Sequence, residues 1–233
     1  YYAQLKPALD VVKACSTAPI VAGGSGFSMF AETIMNDEPR LDYGVYLEGE
    51  KVLPLLVQNL QSPGKVPCVY YRKDGKVEFS GNTGYSDLTA IPLPDRSAAP
   101  TERYAANRDS LGVETKRGCP LHCIYCIYGF LNGTAYRFRD PELVVDDIVS
   151  LLSREGAKRF TFVDSVFNIP ARHAAAICEA IVKRGVKAKW SAWFSENSLT
   201  PELAALAARA GCDHFILSPD GFSDGVLEKL GKN

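Results

Sequence analysis

The sequence of 233 residues has no apolar run approaching the roughly 20 residues that a membrane-spanning helix needs, and no secretory signal is visible. Its formal net charge of −1 argues against a bulk electrostatic attraction to nucleic acid or anionic lipid. Histidine is scarce, and the first of the three histidines is His122. The seven cysteines are an odd number with three clustered, which favours a reducing cytosol over a disulfide scaffold. We therefore expect a cytoplasmic protein with no nucleic-acid or membrane partner.

Apolar residues make up 46% of the sequence and charged residues 23%, which is the composition of an ordinary globular protein. The length allows one good hydrophobic core or two modest ones. The first residue is Tyr1 rather than Met, and the chain stops at Asn233, just after a helical pattern. These features of the two termini predict that the chain is a fragment that lacks both ends of a longer polypeptide.

Three cysteines, Cys119, Cys123 and Cys126, are spaced C-x3-C-x2-C, and no other cysteine is close enough in sequence to complete a local set of four. A closed structural zinc site needs four ligands, whereas three thiolates on one loop suit an iron–sulfur cluster with one iron left open. A substrate or cofactor can bind at an open iron. The alternatives are buried thiols, or a zinc site that uses His122, although His122 adjoins Cys123 and could hardly reach the same metal.

This spacing resembles the C-x3-C-x-aromatic-C signature of the radical S-adenosylmethionine (radical SAM) enzymes, with Tyr125 in the aromatic place. The resemblance implies a 4Fe-4S cluster on the three cysteines, SAM chelated to the fourth iron, and cleavage of SAM to a 5′-deoxyadenosyl radical. It also implies that Tyr125 meets the adenine and that an external donor such as flavodoxin or ferredoxin supplies the electron. The alternative for Tyr125 is a ring that fills the core.

The first third of the chain alternates short apolar strands with helices, which predicts a parallel, doubly wound sheet. A strand from Pro19 runs into glycines, and an acidic strand over 42–50 precedes a helix to about Leu60. Helices are also predicted over 3–15 and 28–35. Residues 66–80 predict a β-hairpin, because an Asp-Gly pair at 74–75 suits a type I′ turn.

This stretch resembles the second half of the cobalamin-binding domain found before many radical SAM cores. The counterparts of its ligand-binding segments are Gly23, Gly24, Ser25, Glu48 and Gly49. The resemblance implies that the glycines lie against the nucleotide tail of the corrinoid. No histidine of this region can ligate cobalt, so that ligand lies upstream or the lower face of cobalt has no histidine. A plain turn after a strand is the alternative for the glycines.

Proline, serine, alanine and asparagine dominate residues 81–112, and we expect a linker over 91–110 between a first domain, 1–90, and a second, 111–233. The second domain shows four βα units, and parallel βα repeats carry their chemistry at the carboxyl ends of the strands. The predicted strands cover 111–116, 159–163, 187–194 and 214–217, and the helices cover about 140–155, 171–184, 201–210 and 224–230. The expected fold class is α/β, a partial Rossmann-like cobalamin-binding domain followed by the first four units of a partial (β/α)6 radical SAM barrel.

Polar residues follow these strands. Asp164, Ser195, Glu196 and Ser218 stand where ribose hydroxyls or the methionine amine of SAM could be bound. The alternative for each is helix capping or turn chemistry, which we favour for Asn168.

Taken with the resemblance, the sequence predicts a cobalamin-dependent radical SAM methyltransferase acting on an unactivated carbon of a small-molecule or peptide substrate. Alternatives are a radical SAM enzyme without a corrinoid, or one that catalyses a rearrangement or cyclisation. Two non-enzyme alternatives are an iron–sulfur electron carrier and a zinc-stabilised binding module. A carrier would ligate every iron with protein thiolates, for which Cys178 and Cys212 are the candidates.

Overall fold

The computed structural model describes residues 2–97, 100–105, 111–154 and 156–232. The chain divides into two compact units, residues 1–86 and residues 87–233, which we call the first and the second unit. Among the helices of these described ranges, none combines the length and apolar content of a membrane span.

The first unit contains a four-stranded sheet in the order β1-β2-β3-β4. Strands β1 and β2 pair parallel, whereas β2 with β3 and β3 with β4 pair antiparallel. The predicted parallel arrangement is therefore found in one strand pair of this sheet. The elements are α1 (Tyr2–Cys15), β1 (Val21–Ala22), α2 (Ser25–Met29), α3 (Ala31–Asp37), β2 (Tyr43–Val45), α4 (Gly49–Gln58), a 3-10 turn (Pro63–Lys65), β3 (Val69–Lys73) and β4 (Lys76–Phe79).

Two hydrophobic clusters lie on opposite faces of this sheet. Val69 packs with Val45 and Leu56, whereas its neighbour Tyr70 packs with Phe27 and Met35. Successive side chains of a strand point to opposite faces, so α3 and α4 cover the two sides. The hairpin prediction is confirmed, with both residues of the turn at positive φ (50° and 75°). The predicted helix over 28–35 is wrong as one element, since it breaks at Phe30, where φ is −135°.

The second unit contains a parallel sheet in the order β10-β9-β8-β5, and β6 pairs antiparallel with β7 in a separate ribbon. The four parallel βα units are therefore confirmed. The helices are α5 (Thr101–Ala105), α6 (Tyr128–Asn132), α7 (Pro141–Arg154), α8 (Ala171–Lys183), α9 (Pro201–Arg209) and α10 (Asp224–Leu230). The strands are β5 (Gly112–Val113), β6 (Lys116–Arg117), β7 (Arg137–Phe138), β8 (Arg159–Phe162), β9 (Lys189–Phe194) and β10 (Cys212–Leu217).

An aromatic cluster packs the carboxyl end of β8 and the segment after it against β9. Phe162 stacks on Phe167 with ring centroids 4.7 Å apart, and it meets the edge of Trp190 at 4.9 Å. All three rings are fully buried, and each such pair contributes about 0.5–1.5 kcal/mol beyond its buried area. The backbone of Phe167 also donates to the Trp193 carbonyl at 2.7 Å, so the segment that follows β8 is held against β9.

The prediction of one strand over 111–116 is wrong. β5 ends at Val113, and β6 begins at Lys116 in the other sheet. The cause is a distant side chain: the Thr115 amide donates to the Asp164 carboxylate at 2.9 Å instead of to a neighbouring strand. The chain bends there, and the bend directs the residues that follow β6 into the cysteine loop.

The predicted linker is only partly described, because residues 98–99 and 106–110 lie outside the described residues. Its first part packs onto the second unit. Arg96 forms a two-point ion pair with the buried Asp147 at 2.5 and 3.1 Å, and the Ile91 carbonyl accepts from Arg139 at 3.0 Å. Residues 91–97 are therefore anchored to the second unit, and the division between the units falls earlier, between Ser86 and Asp87.

Candidate active site

A cavity of about 450 Å³ opens at the carboxyl ends of β8, β9 and β10, beside the cysteine loop. Its wall includes Cys119, Cys123 and Cys126 together with Val163 and Trp193 of the strand ends. The carboxyl ends of parallel strands are the usual place for chemistry in α/β proteins. The three cysteines that the sequence singles out thus share one cavity with the residues that follow the strands.

The cysteine loop is held at both ends by backbone contacts. The Cys119 amide donates to the Gly133 carbonyl at 2.9 Å, and the Ile124 amide donates to the Leu230 carbonyl at 3.1 Å. Gly118 has φ 94°, and a Cβ there would lie 2.1 Å from the Ala135 carbonyl oxygen, so only glycine fits. Cys119 is buried, Cys123 is partly exposed and Cys126 is exposed to solvent.

The three thiols line one cavity, so each could bind a different iron of an iron–sulfur cluster. Within the residues that the structure describes, no group of three His, Cys, Asp or Glu side chains could hold a metal ion. Burial raises the pKa of the Cys123 thiol, and the neighbouring Cys126 and Cys119 add to the effect. Cluster ligation would relieve this crowding of charge, since the irons take up the thiolates.

Cys178 and Cys212 lie elsewhere, in the hydrophobic core of the second unit, and neither lines the cavity. Burial raises the pKa of each thiol to about 12. Among the described residues, the cavity wall therefore offers three thiols and not four. The geometry does not supply the fourth thiolate that an electron carrier would use.

The residues predicted to contact SAM, namely Tyr125, Asp164, Ser195, Glu196 and Ser218, all line the same cavity. Topology explains this placement, because each follows a parallel strand or belongs to the cysteine loop. Their roles toward SAM stay predictions. The environments of Asp164 and Tyr125 indicate what each side chain can do.

The Asp164 carboxylate is fully engaged by the protein. One oxygen accepts from the amides of Thr115 and Lys116 at 2.9 and 3.3 Å. The other accepts from the Thr115 hydroxyl at 2.5 Å and from the Lys116 ammonium at 2.9 Å. Four donors occupy the lone pairs of the carboxylate. The geometry favours Asp164 as the anchor of the strand that leads into the cysteine loop.

The sequence analysis missed Lys116. Its side chain is completely buried, and besides Asp164 its ammonium donates to the Phe167 carbonyl at 3.0 Å. Nearby, His173 places Nε2 3.2 Å from the Thr115 carbonyl oxygen, and burial lowers the pKa of its imidazole. The only sequence signal is a lysine two residues before a glycine-cysteine pair, and its partner lies 48 residues away.

Tyr125 is tied to the loop after β10. Its hydroxyl donates to the Asp220 carboxylate, which also pairs with the Lys232 ammonium at 2.5 Å. Lys232 and then Tyr125 lower the pKa of Asp220, and the bond to Asp220 raises the pKa of Tyr125. The ring remains more than half exposed, which leaves a face open toward the cavity.

The Asn168 side chain forms two hydrogen bonds with the backbone just after β9. Its amide nitrogen donates to the Ser195 carbonyl at 2.9 Å, and its amide oxygen accepts from the Ser195 backbone at 2.8 Å. This supports the structural interpretation of Asn168. It also fixes the backbone from which the Ser195 and Glu196 side chains project.

In the first unit, hydrogen bonds join the two segments that are predicted to bind cobalamin. The Ser28 hydroxyl donates to the Gly24 carbonyl at 2.9 Å and accepts from the Leu47 amide at 2.8 Å. Leu47 has φ 61°, a conformation that favours glycine. Glu48 accepts from the Ser86 amide at 2.7 Å, so its carboxylate has a structural partner.

The glycines fit a ligand surface. A Cβ at Gly23 would meet only ordinary contacts, the nearest at 3.5 Å, and at Gly49 the nearest atom would be 3.7 Å away. Neither residue must be glycine to satisfy the protein's own packing. By contrast, a Cβ at Gly44 would lie 2.1 Å from the Phe27 ring. At such positions a larger side chain would fit the protein's own packing, so the glycine there suits the close approach of a ligand to the backbone.

Four parallel βα units with a three-thiol loop at the carboxyl ends of their strands define an α/β protein built to hold a metal centre above a sheet. A family model, the Radical SAM superfamily, matches residues 113–233. The chain therefore belongs to the radical SAM superfamily, as its cysteine motif predicts.

Known proteins extend the likeness across both units. An uncharacterized methyltransferase of Pyrococcus horikoshii is 27% identical over 218 residues, which cover 91% of this chain and 48% of that protein. The anaerobic magnesium-protoporphyrin IX monomethyl ester cyclase of Cereibacter sphaeroides is 27% identical over 253 residues, which cover 98% of this chain and 39% of the cyclase. The chain thus spans less than half the length of these relatives.

A solved structure shares the fold. It is the radical SAM methyltransferase TsrM from Kitasatospora setae, with cobalamin and a [4Fe-4S] cluster bound. The TM-score is 0.85 at 21% identity, over 97% of this chain and 46% of TsrM. At this identity the likeness establishes a shared α/β fold.

Proposed function

We propose that this chain belongs to the core of a cobalamin-dependent radical SAM methyltransferase that methylates an unactivated carbon of a small-molecule or peptide substrate. One observation carries the proposal: three thiols and the residues after three parallel strands line one cavity, with no fourth thiol among the described residues of its wall. Named relatives that are methyltransferases, and a methyltransferase of the same fold, support the reaction class.

Cys119, Cys123 and Cys126 would hold the 4Fe-4S cluster and leave its fourth iron facing the cavity, where SAM would bind. A reduced cluster held there would supply the electron for radical cleavage of SAM, and a bound cobalamin would supply methyl-carrier chemistry. The chain's own residues position these groups and exclude side reactions. A cytoplasmic donor such as flavodoxin or ferredoxin would reduce the cluster.

Within the cavity, Tyr125 would place its exposed ring against the adenine, held in orientation by the Asp220 carboxylate. Ser195, Glu196 and Ser218 would offer hydroxyl, carboxylate and backbone groups to the ribose and to the methionine amine. Asp164 would act through Lys116 and Thr115 by fixing the strand that enters the cysteine loop. A fixed loop matters because reactivity falls steeply when reacting groups are misplaced by about 1 Å.

In the first unit, Gly23, Gly24, Ser25 and Gly49 would face the nucleotide tail of cobalamin, with Glu48 holding the segment in place. The support is that a Cβ at Gly23 or Gly49 would meet only ordinary contacts, together with the hydrogen bonds through Ser28 that join the two segments. The first unit, residues 1–86, contains no histidine, so none of its residues would be a histidine ligand of cobalt.

The test uses the full-length polypeptide, purified and reconstituted without oxygen and incubated with SAM and a reductant. Formation of S-adenosylhomocysteine together with 5′-deoxyadenosine supports methyl transfer by radical chemistry. 5′-Deoxyadenosine without S-adenosylhomocysteine would contradict methyl transfer. It would favour a rearrangement or cyclisation, the second candidate, to which the similarity to a cyclase over 98% of the chain points. Zinc in place of iron would remove both candidates.

A further inference from the structure

The Tyr136 hydroxyl is a buried polar atom with no hydrogen-bond partner in the described part of the chain. Leaving a buried hydroxyl without a partner is unfavourable, so such a group in a native fold calls for a physical explanation. Tyr136 does not line the cavity. It therefore has no access to a substrate bound there, and its missing partner lies on the protein side of the site.

The strand register places Tyr136 beside the first cysteine. In the β6–β7 ribbon, Lys116 is opposite Phe138 and Arg117 is opposite Arg137, so the next pair brings Gly118 opposite Tyr136. A Cβ on Gly118 would lie 3.3 Å from the Tyr136 Cα, which shows how close the two backbones are. Cys119 follows at once, and its amide is bonded to the Gly133 carbonyl.

The other polar groups nearby are already engaged. The Lys116 ammonium lies 5.7 Å from the Tyr136 ring centroid and donates to Asp164 and Phe167. The Asp164 carboxylate accepts four hydrogen bonds from Thr115 and Lys116. Neither the Lys116 ammonium nor the Asp164 carboxylate requires the Tyr136 hydroxyl as a further hydrogen-bond partner. The Cys119 thiol is near enough to act on the Tyr136 phenol, since burial first and then the charges of Cys119 and Asp164 raise the pKa of that phenol. As a ligated thiolate, Cys119 becomes a stronger hydrogen-bond acceptor.

We infer that Tyr136 is a positioning residue whose hydroxyl donates a hydrogen bond to the Cys119 thiolate once the cluster is bound, and thereby raises the cluster's reduction potential. The inference rests on the proposed cluster site. Hydrogen bonds to the sulfurs are among the factors that set the potential of an iron–sulfur cluster. A donor withdraws electron density from the thiolate, so it stabilises the reduced, more negative cluster.

The experiment compares Tyr136→Phe with Tyr104→Phe in the full-length protein. Tyr104 is a half-exposed tyrosine outside the cavity wall, so its variant controls for the loss of one hydroxyl. The midpoint potential of the reconstituted cluster is measured by redox titration followed by electron paramagnetic resonance. We expect Tyr136→Phe to lower the potential, so that the oxidised-to-reduced ratio at a fixed potential rises by roughly threefold or more, where tenfold corresponds to about 59 mV. Tyr104→Phe should leave the potential unchanged.

A second measurement uses the cluster-free protein. Because the hydroxyl has no partner there, Tyr136→Phe should keep or raise the Tm of thermal unfolding. An unchanged potential in Tyr136→Phe would overturn the inference. So would a lower Tm of the cluster-free variant than of Tyr104→Phe, since it would show that the hydroxyl is bonded within the protein or to water. A failure of the proposed function looks different: the unsubstituted protein itself would take up no iron, and both ideas would fall together.

Discussion

The two units hold their proposed cofactors by different means. In the second unit, three reactive side chains and the ends of three strands surround a cavity of about 450 Å³, and buried polar contacts fix the loop that carries the cysteines. In the first unit, the proposed ligand surface is backbone, with exposed glycines at 23 and 24 and a half-buried one at 49, and Ser28 joins its two segments by hydrogen bonds. Ligation by side chains predicts large, localised effects of substitution, whereas a backbone surface predicts smaller effects that are spread over several residues.

The largest effect is expected at the thiols. Cys123→Ser should abolish iron uptake and SAM cleavage, because the cluster loses one of its three protein ligands. Iron content and 5′-deoxyadenosine formation are the measurements. The matched control is Cys178→Ser, a buried core thiol away from the cavity, which should retain iron at some loss of stability. Loss of iron in Cys178→Ser but not in Cys123→Ser would reverse our assignment of the cluster site.

The next effect concerns the support of the cysteine loop. Lys116→Met leaves the Asp164 carboxylate buried without its cation, and breaking a buried pair in this way costs about 3–5 kcal/mol. Urea unfolding followed by circular dichroism would measure the loss. The control is Arg184→Ala, which removes the exposed pair with Asp146 and should cost no more than about 1 kcal/mol. Equal losses in the two variants would show that the buried pair does not anchor the loop.

A smaller effect is expected in the first unit. Gly23→Ala should leave the free energy of unfolding within about 0.5 kcal/mol of the unsubstituted value, because its Cβ meets only ordinary contacts. It should nevertheless weaken the binding of hydroxocobalamin, by about tenfold if the methyl group displaces the ligand at a cost of 1.4 kcal/mol. Anaerobic titration measures this affinity. Gly225→Ala, at an open position of the second unit, should not change it. An unchanged affinity in Gly23→Ala would remove this residue from the corrinoid site.

The smallest effect is a pH dependence from His173. Burial lowers the pKa of this imidazole, so below the ordinary pKa of about 6.5 the unfolded chain binds a proton that the folded chain does not. Stability from this group should therefore be lost as the pH falls below about 6.5, by at most about 1.4 kcal/mol per pH unit. His173→Gln should flatten that part of the stability profile, measured by urea unfolding at a series of pH values. Parallel profiles for His173→Gln and the unsubstituted protein would contradict this.

The sequence predicted well what depends on local signals. The helices predicted over 201–210 and 224–230 follow from periodicity and capping chemistry, and at the start of the first the Thr200 hydroxyl accepts from the Leu203 amide. The gathering of the predicted SAM residues at one cavity follows from parallel topology, which needs only the order of strands and helices.

What the sequence could not predict depends on distant partners. The strand break at Thr115 and the burial of Lys116 both require the Asp164 carboxylate, which is almost 50 residues away in the chain. The position of Tyr136 beside the cysteine loop depends on the register of a two-residue ribbon. Tyr125 is oriented by Asp220, whose positive φ of 59° no local pattern indicated.

The central claim is that three thiolates hold an iron–sulfur cluster with one iron open to SAM. The most direct measurement is electron paramagnetic resonance of the reduced, full-length protein before and after addition of SAM, together with metal analysis. We predict about four irons per chain and a signal that changes when SAM binds, since SAM would coordinate the open iron. Bound zinc, or a cluster whose signal is indifferent to saturating SAM, would contradict the claim.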